Sequence, residues 1–173
     1  KKFFYSVKIK SASKQILDRI DRRILRELQA NGRISNVELA KLVGLSATPC
    51  LERVRRLEND GFIEGYLAKL NPKKLSVSLL VFAEIRLMHT SPHMFTEFNN
   101  AVANIPEILE CHLVSGDFDY LLKARVGDMQ EYRKLLGETL LTLPGVRASR
   151  SYMVMEEVKE TSLLPITDQK SND

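Results

Sequence analysis

The apolar residues in the first third of the chain recur at helical spacing in three successive stretches. Four of them in the first stretch lie on one helix face: Ile20, Ile24, Leu25 and Leu28. Asp18 and Asp21 lie at the N-terminal end of this stretch, where the helix dipole favours acidic side chains. Asn31-Gly32 interrupts the pattern. The sequence therefore predicts a helix that begins near Asp18 and ends before Asn31.

A second short helix is predicted over residues 36–43. Ser35 and Glu38 are spaced as a capping box, in which each side chain accepts a hydrogen bond from the backbone N–H of the other residue. Gly44 follows, and glycine most readily takes the left-handed conformation found at helix C-termini. These signals predict a helix of about two turns, followed by a tight turn.

The next stretch, VGLSATPCLERVRRLENDG, begins at Val43 and predicts a third helix. Ser46 is the expected N-cap, and Pro49 falls in the first turn, where its missing N–H does little harm. Because proline disfavours helical angles in the residue before it, Thr48 is expected to be non-helical and the helix to begin a residue or two later. The side chains expected to face inward are Leu51, Val54 and Leu57.

The outward surface of the third helix is basic. Its outward side chains are Thr48, Glu52, Arg53, Arg55 and Arg56. A solvated basic face is common on a lone helix, but a third helix after a glycine turn is typical of a helix-turn-helix, whose recognition helix enters the DNA major groove. Ser46 and Pro49, at its start, complete the predicted DNA-contacting set. Residues 61–71, GFIEGYLAKLN, alternate well enough for a two-stranded wing or a connecting strand.

The second half of the chain mixes strand and helix patterns. SLLVFAEIRLM, ILECHLVSG, DYLLKARV and VRASRSYMVMEEVK predict strands, whereas PHMFTEFNNAVANI and DMQEYRKLLGETLLTL predict amphipathic helices, the latter capped by Asp128. This order is that of a ferredoxin-like βαββαβ domain, with an antiparallel sheet and both helices on one face. A second copy of the chain is the simplest cover for the other face. The predicted fold class is α+β.

Charge separates the two halves further. Residues 1–75 carry 17 basic and 8 acidic side chains, net +9, whereas residues 76–173 carry 9 and 14, net −5. A basic half beside an acidic half indicates that one half meets a polyanion such as double-stranded DNA. The expected organisation is an extension of uncertain structure at 1–16, in which FFYSVKIK could form a strand, a winged-helix-like helix-turn-helix domain at 17–70, a linker at 71–78, a ferredoxin-like domain at 79–160 and a tail at 161–173.

Two further observations bear on the compartment. The chain has no charged-then-apolar leader, and no apolar run approaches the roughly 20 residues that span a bilayer. Its two cysteines, Cys50 and Cys111, are far apart, which suits a reducing compartment better than a disulfide scaffold. We expect a cytoplasmic, nucleoid-associated protein with no membrane contact.

The stretch SGDFDY, residues 115–120, is the candidate for small-molecule binding in the acidic half. Gly116 permits a sharp turn with exposed amides, and Asp117 and Asp119 are acceptors for an ammonium group. Neighbouring leucine, methionine and tyrosine side chains offer an apolar slot, so the groups that bind a small amino acid are present. By spacing alone, an ordinary hairpin turn with solvated aspartates is the commoner explanation.

Catalytic and metal-binding functions have weaker support. Cys111 and His112 are adjacent on a predicted strand, so their side chains point to opposite faces. His89 and His93 have a metal-type spacing, but Ser91-Pro92 breaks the helix that this spacing requires. No catalytic residue and no metal ligand is predicted. Two alternatives to a ligand-responsive regulator remain: an architectural DNA-bending protein without ligand response, and an enzyme that uses an aspartate of SGDFDY as a general base.

Several stretches together resemble the Lrp/AsnC, or feast/famine, family of bacterial transcription regulators: GRISNVELAKLVGLS, TPCLERVRRLE, GFIEGY, ECHLVSGDFDYLLK, YRKLLGETLL, LPGV and VMEEVK. The similarity runs from about residue 17 to about residue 159. It implies a DNA-binding helix-turn-helix domain followed by a ferredoxin-like domain, and control of amino acid metabolism genes. The family forms homodimers, and often octamers of four dimers, that wrap DNA.

The resemblance also implies the effector and its residues. The matched response positions are Leu113, Asp119, Met129, Tyr152, Met153 and Val154, beside the turn residues Ser115, Gly116, Asp117 and Tyr120. In the family this site lies at the contact between dimers, and the effector is leucine or another small amino acid. Met153 stands where the family pattern carries valine, so the preferred ligand size is open and methionine is a second expected effector. No other cofactor is expected.

Overall fold

The computed structural model describes residues 17–167, which fall into two units. We call residues 17–68 together with 161–167 the helical unit, and residues 69–160 the sheet unit. Residues 161–167, which the sequence left as a tail, thus pack with the helical unit. The predicted strand FFYSVKIK lies outside the described residues. Within residues 17–167, no helix combines the length and hydropathy that a membrane span requires.

The helical unit contains the three predicted helices: α1 (Arg19–Ala30), α2 (Asn36–Val43) and α3 (Ala47–Asn59). Ser35 and Glu38 form the predicted capping box, and Gly44 ends α2 in the left-handed conformation with φ of 74°. A second capping box, which the sequence did not predict, joins Asp18 and Asp21 at the start of α1. These caps satisfy backbone N–H groups that a helix leaves unpaired.

The start of α3 differs from the prediction. Ser46 occupies the N-cap position, but its side chain makes no capping hydrogen bond, and the helix begins at Ala47. Thr48 is therefore helical, and the expectation of a later start is wrong. Pro49 occupies the third helical position, where the N–H that proline lacks has no partner within the helix.

The core of the helical unit joins all three helices through seven buried residues: Ile24, Leu39, Ala40, Val43, Cys50, Val54 and Leu57. Leu51, which was expected to face inward, is only half-buried. Cys50 takes that place because positions 50, 54 and 57 lie on one face at helical spacing. Cys50 is therefore a packing residue, as its apolar neighbours indicate.

Residues 61–71 contain no strand in the described part of the chain, so the predicted wing strands are wrong there. The backbone N–H groups of Phe62 and Ile63 instead donate to the Leu57 carbonyl at 2.9 and 3.3 Å. The Tyr66 hydroxyl donates to Glu58 Oε1 at 2.9 Å. The segment is held by the end of α3 rather than by a partner strand.

The sheet unit has the predicted ferredoxin-like order. Its elements are β1 (Leu79–Leu87), α4 (Pro92–Val102), β2 (Ile108–Leu113), β3 (Tyr120–Val126), α5 (Met129–Lys134) and β4 (Val146–Met153). The four strands are antiparallel in the spatial order β2-β3-β1-β4. Alternate side chains of β1 and β3 pack with both helices in one cluster, which puts α4 and α5 on the same face.

Two elements of the sheet unit are shorter than predicted. The helix α5 passes at residue 135 into a π-helical turn, Leu135–Thr139, and then into a 3₁₀ turn, Leu140–Thr142. Gly137 lies in the middle of this stretch, and glycine weakens a helix interior. The last strand ends at Met153 instead of continuing through the predicted VMEEVK segment.

The other face of the sheet carries few apolar side chains. On β1 they are Leu80, which is buried, and Phe82, which is half-buried. Around them lie paired polar groups: Tyr152 donates to Glu84 at 2.9 Å, and Lys123 contacts Glu110 at 2.8 Å. This face is therefore less apolar than the strand LLVFAEI suggested.

Candidate functional site

The outermost stripe of α3 is polar and exposed. Thr48, Glu52, Arg55 and Asn59 recur at spacings of four, three and four residues, which aligns them along one helix face. Arg55 makes no ion pair with any residue of the described chain. Its guanidinium is thus available to a base edge or a phosphate. Asn59 was not in the predicted set.

The other two arginines of α3 are held by carboxylates of α1. Arg53 Nη1 contacts Asp18 Oδ2 at 2.6 Å and Asp21 Oδ1 at 2.8 Å, while Arg56 Nη2 contacts Asp21 Oδ2 at 2.6 Å. The Asp21 side chain is 2% exposed, that of Arg53 is 29% exposed, and that of Arg56 is 52% exposed. Arg53 is therefore half-buried rather than outside, and both arginines fix α3 against α1.

The charges of this cluster stabilise one another. Hydrogen bonds to Asp18 and then Asp21 raise the pKa of the Arg53 guanidinium. Burial alone would raise the pKa of Asp18, but hydrogen bonds from the Asp21 backbone and from Arg53 outweigh burial and hold that pKa below its ordinary value. Asp18 and Arg53 thus stay ionised at neutral pH, as a paired carboxylate and guanidinium do.

Sequence reasoning missed this cluster, although a signal for it was present. Asp21 lies three residues before Ile24 and seven before Leu28, so it falls on the apolar face of α1. A carboxylate on a core-facing stripe needs a cationic partner, because burying an unpaired charge is costly. The arginines of α3 were the only dense group of cations in the next two helices.

The junction between α2 and α3 is fixed by a side chain. Asn36 Nδ2 donates to the Ala47 carbonyl at 2.8 Å, which ties the start of α2 to the first residue of α3. Ser46 and Thr48 are exposed beside this junction, and Pro49 is half-buried. The N-terminal end of α3 is therefore held in place while its polar side chains stay accessible.

In the sheet unit, Asp119 bonds the end of β1 through both its backbone and its side chain. Its backbone N–H donates to the Ile85 carbonyl at 2.9 Å, and its Oδ2 accepts from the Leu87 N–H at 2.7 Å. Leu87 lies where the β1–β4 register shifts. Asp119 is half-buried, and its second oxygen accepts no hydrogen bond from the described residues. The carboxylate thus has a structural partner and one oxygen left for a ligand.

The neighbouring turn residues differ in exposure. Ser115, Gly116 and Asp117 are exposed, and Gly116 has φ of 154°, which favours glycine. Tyr120 is 1% exposed and packs against Phe98 with ring centroids 4.3 Å apart. The expectation that Tyr120 contacts a ligand is therefore wrong, because its side chain belongs to the core.

Four of the remaining predicted effector residues lie at the other end of the sheet: Met129, Tyr152, Met153 and Val154. Met153 pairs with Val81 and Tyr152 with Phe82, near the start of β1, whereas Asp119 binds Leu87 at its end. Six residues of strand at about 3.3 Å each separate these ends by roughly 20 Å. Met129 comes shortly after the last residue of β3, which pairs with Leu79 at the start of β1, so Met129 lies at the same end of the sheet as Met153. Val154 lies there too, because its N–H donates to the Leu80 carbonyl. Leu113 pairs with Tyr120 and shares the Asp119 end.

Within one chain, Met129, Met153 and Val154 therefore lie too far from Asp119 to share a ligand of leucine's size with it. The Tyr152 hydroxyl reaches Glu84, which lies partway along β1. The Asp119 end supplies the carboxylate and the glycine turn, and the Met153 end supplies exposed methionine side chains, including Met129. Tyr152 and Met153 are adjacent on β4 and point to opposite faces; Tyr152 bonds Glu84 on the face away from the helices. The predicted effector residues form two half-sites.

Metal binding and thiol chemistry find no support in the described chain. No group of three or more His, Cys, Asp or Glu residues within 17–167 is arranged to hold a metal ion. Burial raises the pKa of the Cys111 thiol to about 11 and also raises that of Cys50. Both thiols are thus protonated and unreactive at neutral pH.

Comparisons with known proteins agree with this geometry. A winged helix-turn-helix DNA-binding model matches residues 17–64, and an Lrp/AsnC ligand binding domain model matches residues 80–164. The leucine-responsive regulatory proteins of Klebsiella pneumoniae and Escherichia coli strain K12 are each 69% identical to this chain over 150 residues, which covers 87% of this chain and 92% of each relative.

Solved structures give the same assignment. A transcriptional regulator of Neisseria meningitidis in complex with L-methionine matches with a TM-score of 0.83 and 37% identity, covering 87% of this chain and 97% of that one. An AsnC family regulator of Agrobacterium tumefaciens matches with a TM-score of 0.82 and 38% identity, covering 86% and 97%. These relatives are transcription regulators, which excludes the enzyme alternative. The chain belongs to the Lrp/AsnC family of ligand-responsive, DNA-binding transcription regulators.

Proposed function

We propose that α3 reads double-stranded DNA with its exposed stripe and start, while the arginines nearest α1 contact phosphates. Arg55, Glu52 and Thr48 are the base-edge candidates, supported by their exposure and by the lack of an ion pair between Arg55 and any other residue of 17–167. Ser46 at the helix N-terminus and Pro49 beside it set the approach of the backbone to the DNA. Arg53 and Arg56 are held by Asp21 at fixed positions suited to phosphates.

The proposed effector is a small apolar amino acid, with leucine and methionine as the two candidates. The names of the curated relatives point to leucine and the Neisseria complex points to methionine. Asp119 accepts the ammonium group through its unoccupied oxygen, and the amides around Ser115, Gly116 and Asp117 hold the carboxylate. The apolar side chain then needs a slot, to which Leu113 contributes at the Asp119 end.

The second half-site comes from another copy of the chain. The observation that carries this proposal is the separation of roughly 20 Å between the Asp119 and Met153 ends within one chain. A neighbouring copy presents its own Met129, Tyr152, Met153 and Val154 to the Asp119 end. Ligand binding and assembly are then linked, so each strengthens the other by the same factor. Homodimers, and octamers of four dimers, are the proposed assemblies, on DNA in the nucleoid of the cytoplasm.

Mixing two defective chains tests whether the site is shared. Asp119→Asn disables one half-site and Met153→Asp disables the other, so each variant alone is expected to bind leucine weakly in calorimetry. If two copies build each site, a mixed assembly regains intact sites, about a quarter of the total for random mixing. A site contained in one chain gives no recovery on mixing, and that result rejects the proposal.

The matched control uses a chain with both substitutions. Mixing this double variant with either single variant produces no intact site, because one of the two half-sites is then defective in every copy. Leucine binding in that mixture therefore measures the residual affinity of defective sites. The same titrations with methionine in place of leucine decide the preferred effector. Gel shifts of an operator-sized duplex with each mixture then report whether ligand binding changes DNA affinity.

A further inference from the structure

The helical unit has an apolar groove that is separate from α3. Its volume is about 640 Å³, and no residue of α3 lines it. The apolar side chains that line it include Leu25, Leu28, Phe62, Ile63, Leu164 and Ile166. One wall is α1, the second is the segment after α3, and the third is the chain's own segment 162–166. The groove thus lies against an element that neither the DNA contacts nor the effector half-sites use.

Segment 162–167 is bound to α1 through its backbone. Gln29 Nε2 donates to the Leu164 carbonyl at 3.1 Å, and the Leu164 N–H donates to Gln29 Oε1 at 2.7 Å. Arg26 Nε and Nη2 both donate to the Ile166 carbonyl at 3.1 Å. An amide side chain that pairs with both backbone groups of one residue imitates a neighbouring strand, which is how extended peptides are commonly recognised.

The side chains of the segment follow the same extended pattern. Leu164 and Ile166 are two residues apart, so they lie on one side of an extended chain, and both line the groove. Tyr66 also lines the groove. Its ring lies 3.3 Å from where a Cβ on Gly32 would be, and its hydroxyl donates a hydrogen bond to Glu58. Backbone pairing from one helix and alternate apolar contacts together define a peptide-binding surface.

We propose that α1 and residues 61–67 form a docking site for an extended segment, and that the chain's own residues 162–167 occupy it in solution. The segment follows the sheet unit, whose first and last residues, Lys69 and Glu160, are joined by an ion pair of 3.6 Å. The sheet unit is therefore connected to the helical unit at both of its ends: by the peptide bond at residue 69 and by the docked segment after residue 160. A change within the sheet unit has two routes to the DNA-binding helices.

Hydrogen exchange of the full-length protein tests the docking. The Leu164 amide is expected to exchange about tenfold or more slowly than an unstructured amide, as one or two ordinary hydrogen bonds provide. Gln29→Met keeps the length of the side chain and removes both hydrogen bonds, so it is expected to abolish this protection. Gln130→Met, at an exposed position on α5, is the control and leaves the protection unchanged. An unprotected Leu164 in the wild type, or protection that survives Gln29→Met, overturns the proposal.

A cross-linking test identifies the occupant and stands even where Gln29→Met folds poorly. Gln29→Cys combined with Leu164→Cys puts one thiol on α1 and one on the segment that Gln29 now binds, for bridging by a short bismaleimide. The native Cys50 and Cys111 do not compete, because burial keeps their thiols protonated. Reaction is expected to give an internally cross-linked monomer on a denaturing gel. A covalent dimer shows that another copy's segment fills the groove, and no cross-link shows that the groove is empty; either outcome overturns the proposal.

Discussion

In the helical unit, two carboxylates of α1 hold Arg53 and Arg56 of the same chain at contact distance. In the sheet unit, the Asp119 and Met153 ends of one chain lie roughly 20 Å apart along β1. Arg53 and Arg56 are thus prearranged by intramolecular ion pairs, whereas the proposed effector site is complete only when copies meet. A substitution in the first region is therefore expected to act on folding and DNA contact in every copy, and one in the second is expected to act through assembly.

The largest effect is expected from Asp21→Asn, which removes the charge that two arginines share. Because the Asp21 side chain is buried, its neutralisation is expected to lower the free energy of unfolding of the helical unit by about 3 kcal/mol. Urea denaturation measures this change. Asp60→Asn, at the exposed end of α3, is the matched control and is expected to be neutral. If Asp21→Asn is equally neutral, the ion pairs do not hold the helices together.

Arg55→Ala is expected to weaken DNA binding while leaving the fold intact, because Arg55 is exposed and unpaired in the described chain. The loss is about 2 kcal/mol at a single base position if the guanidinium reads guanine. If it contacts phosphate, affinity for all sequences falls, and the slope of log affinity against log salt concentration becomes shallower by roughly 1. Gel shifts at several salt concentrations distinguish the two. Arg133→Ala, exposed on α5, is the control, and equal behaviour of the two variants contradicts the DNA assignment.

Asp119→Asn is expected to weaken effector binding about tenfold, because a charge-assisted hydrogen bond to the ammonium group becomes neutral. The amide oxygen of asparagine still accepts from the Leu87 N–H, so the sheet end is preserved. Asp117→Asn, in the same exposed turn, tests whether charge alone matters. Calorimetry with leucine is the measurement, and equal losses in both variants argue for a general electrostatic effect rather than a specific contact.

The smallest effect concerns pH. The pKa of Asp18 is held below its ordinary value of 3.8, so its contribution to stability is fully present above that value and is lost as pH falls through the lower folded value. Asp18→Asn is therefore expected to destabilise the protein near neutral pH and to match the wild type in strong acid. Denaturation curves from neutral pH to strong acid measure whether the free energies of unfolding of the two proteins converge. A difference between them that stays constant at every pH contradicts the prediction.

Local signals in the sequence predicted much of the fold. The Ser35–Glu38 capping box and Gly44 set both ends of α2, and the β-forming residues of SLLVFAEIRLM identified the strand β1. Residues 61–71 alternate between apolar and polar positions but form no strand, because alternation shows that one side of a segment is apolar and not what lies against it. Here the end of α3 holds the segment instead of another strand.

The sites were predictable only where the partners are close in sequence. The arginines of α3 were visible as a group, but their carboxylates are more than thirty residues away in α1 and only tertiary packing brings them together. The division of the effector residues into two ends depends on the register of β1 with β4, which no local motif records. Tyr120 was expected beside the ligand because it ends the SGDFDY stretch, yet the period of two along β3 turns its ring into the core.

The ion pair between Lys69 and Glu160 means that the two ends of the sheet unit lie within the combined reach of one lysine and one glutamate side chain. To the helical unit, the sheet unit therefore resembles an insertion into a surface loop, the kind of place where whole domains are exchanged with little damage. A different sensor domain with neighbouring termini could be joined at residues 68 and 161 without lengthening the path between them. The same arrangement allows one DNA-reading module to be combined, through a single graft, with many kinds of ligand recognition.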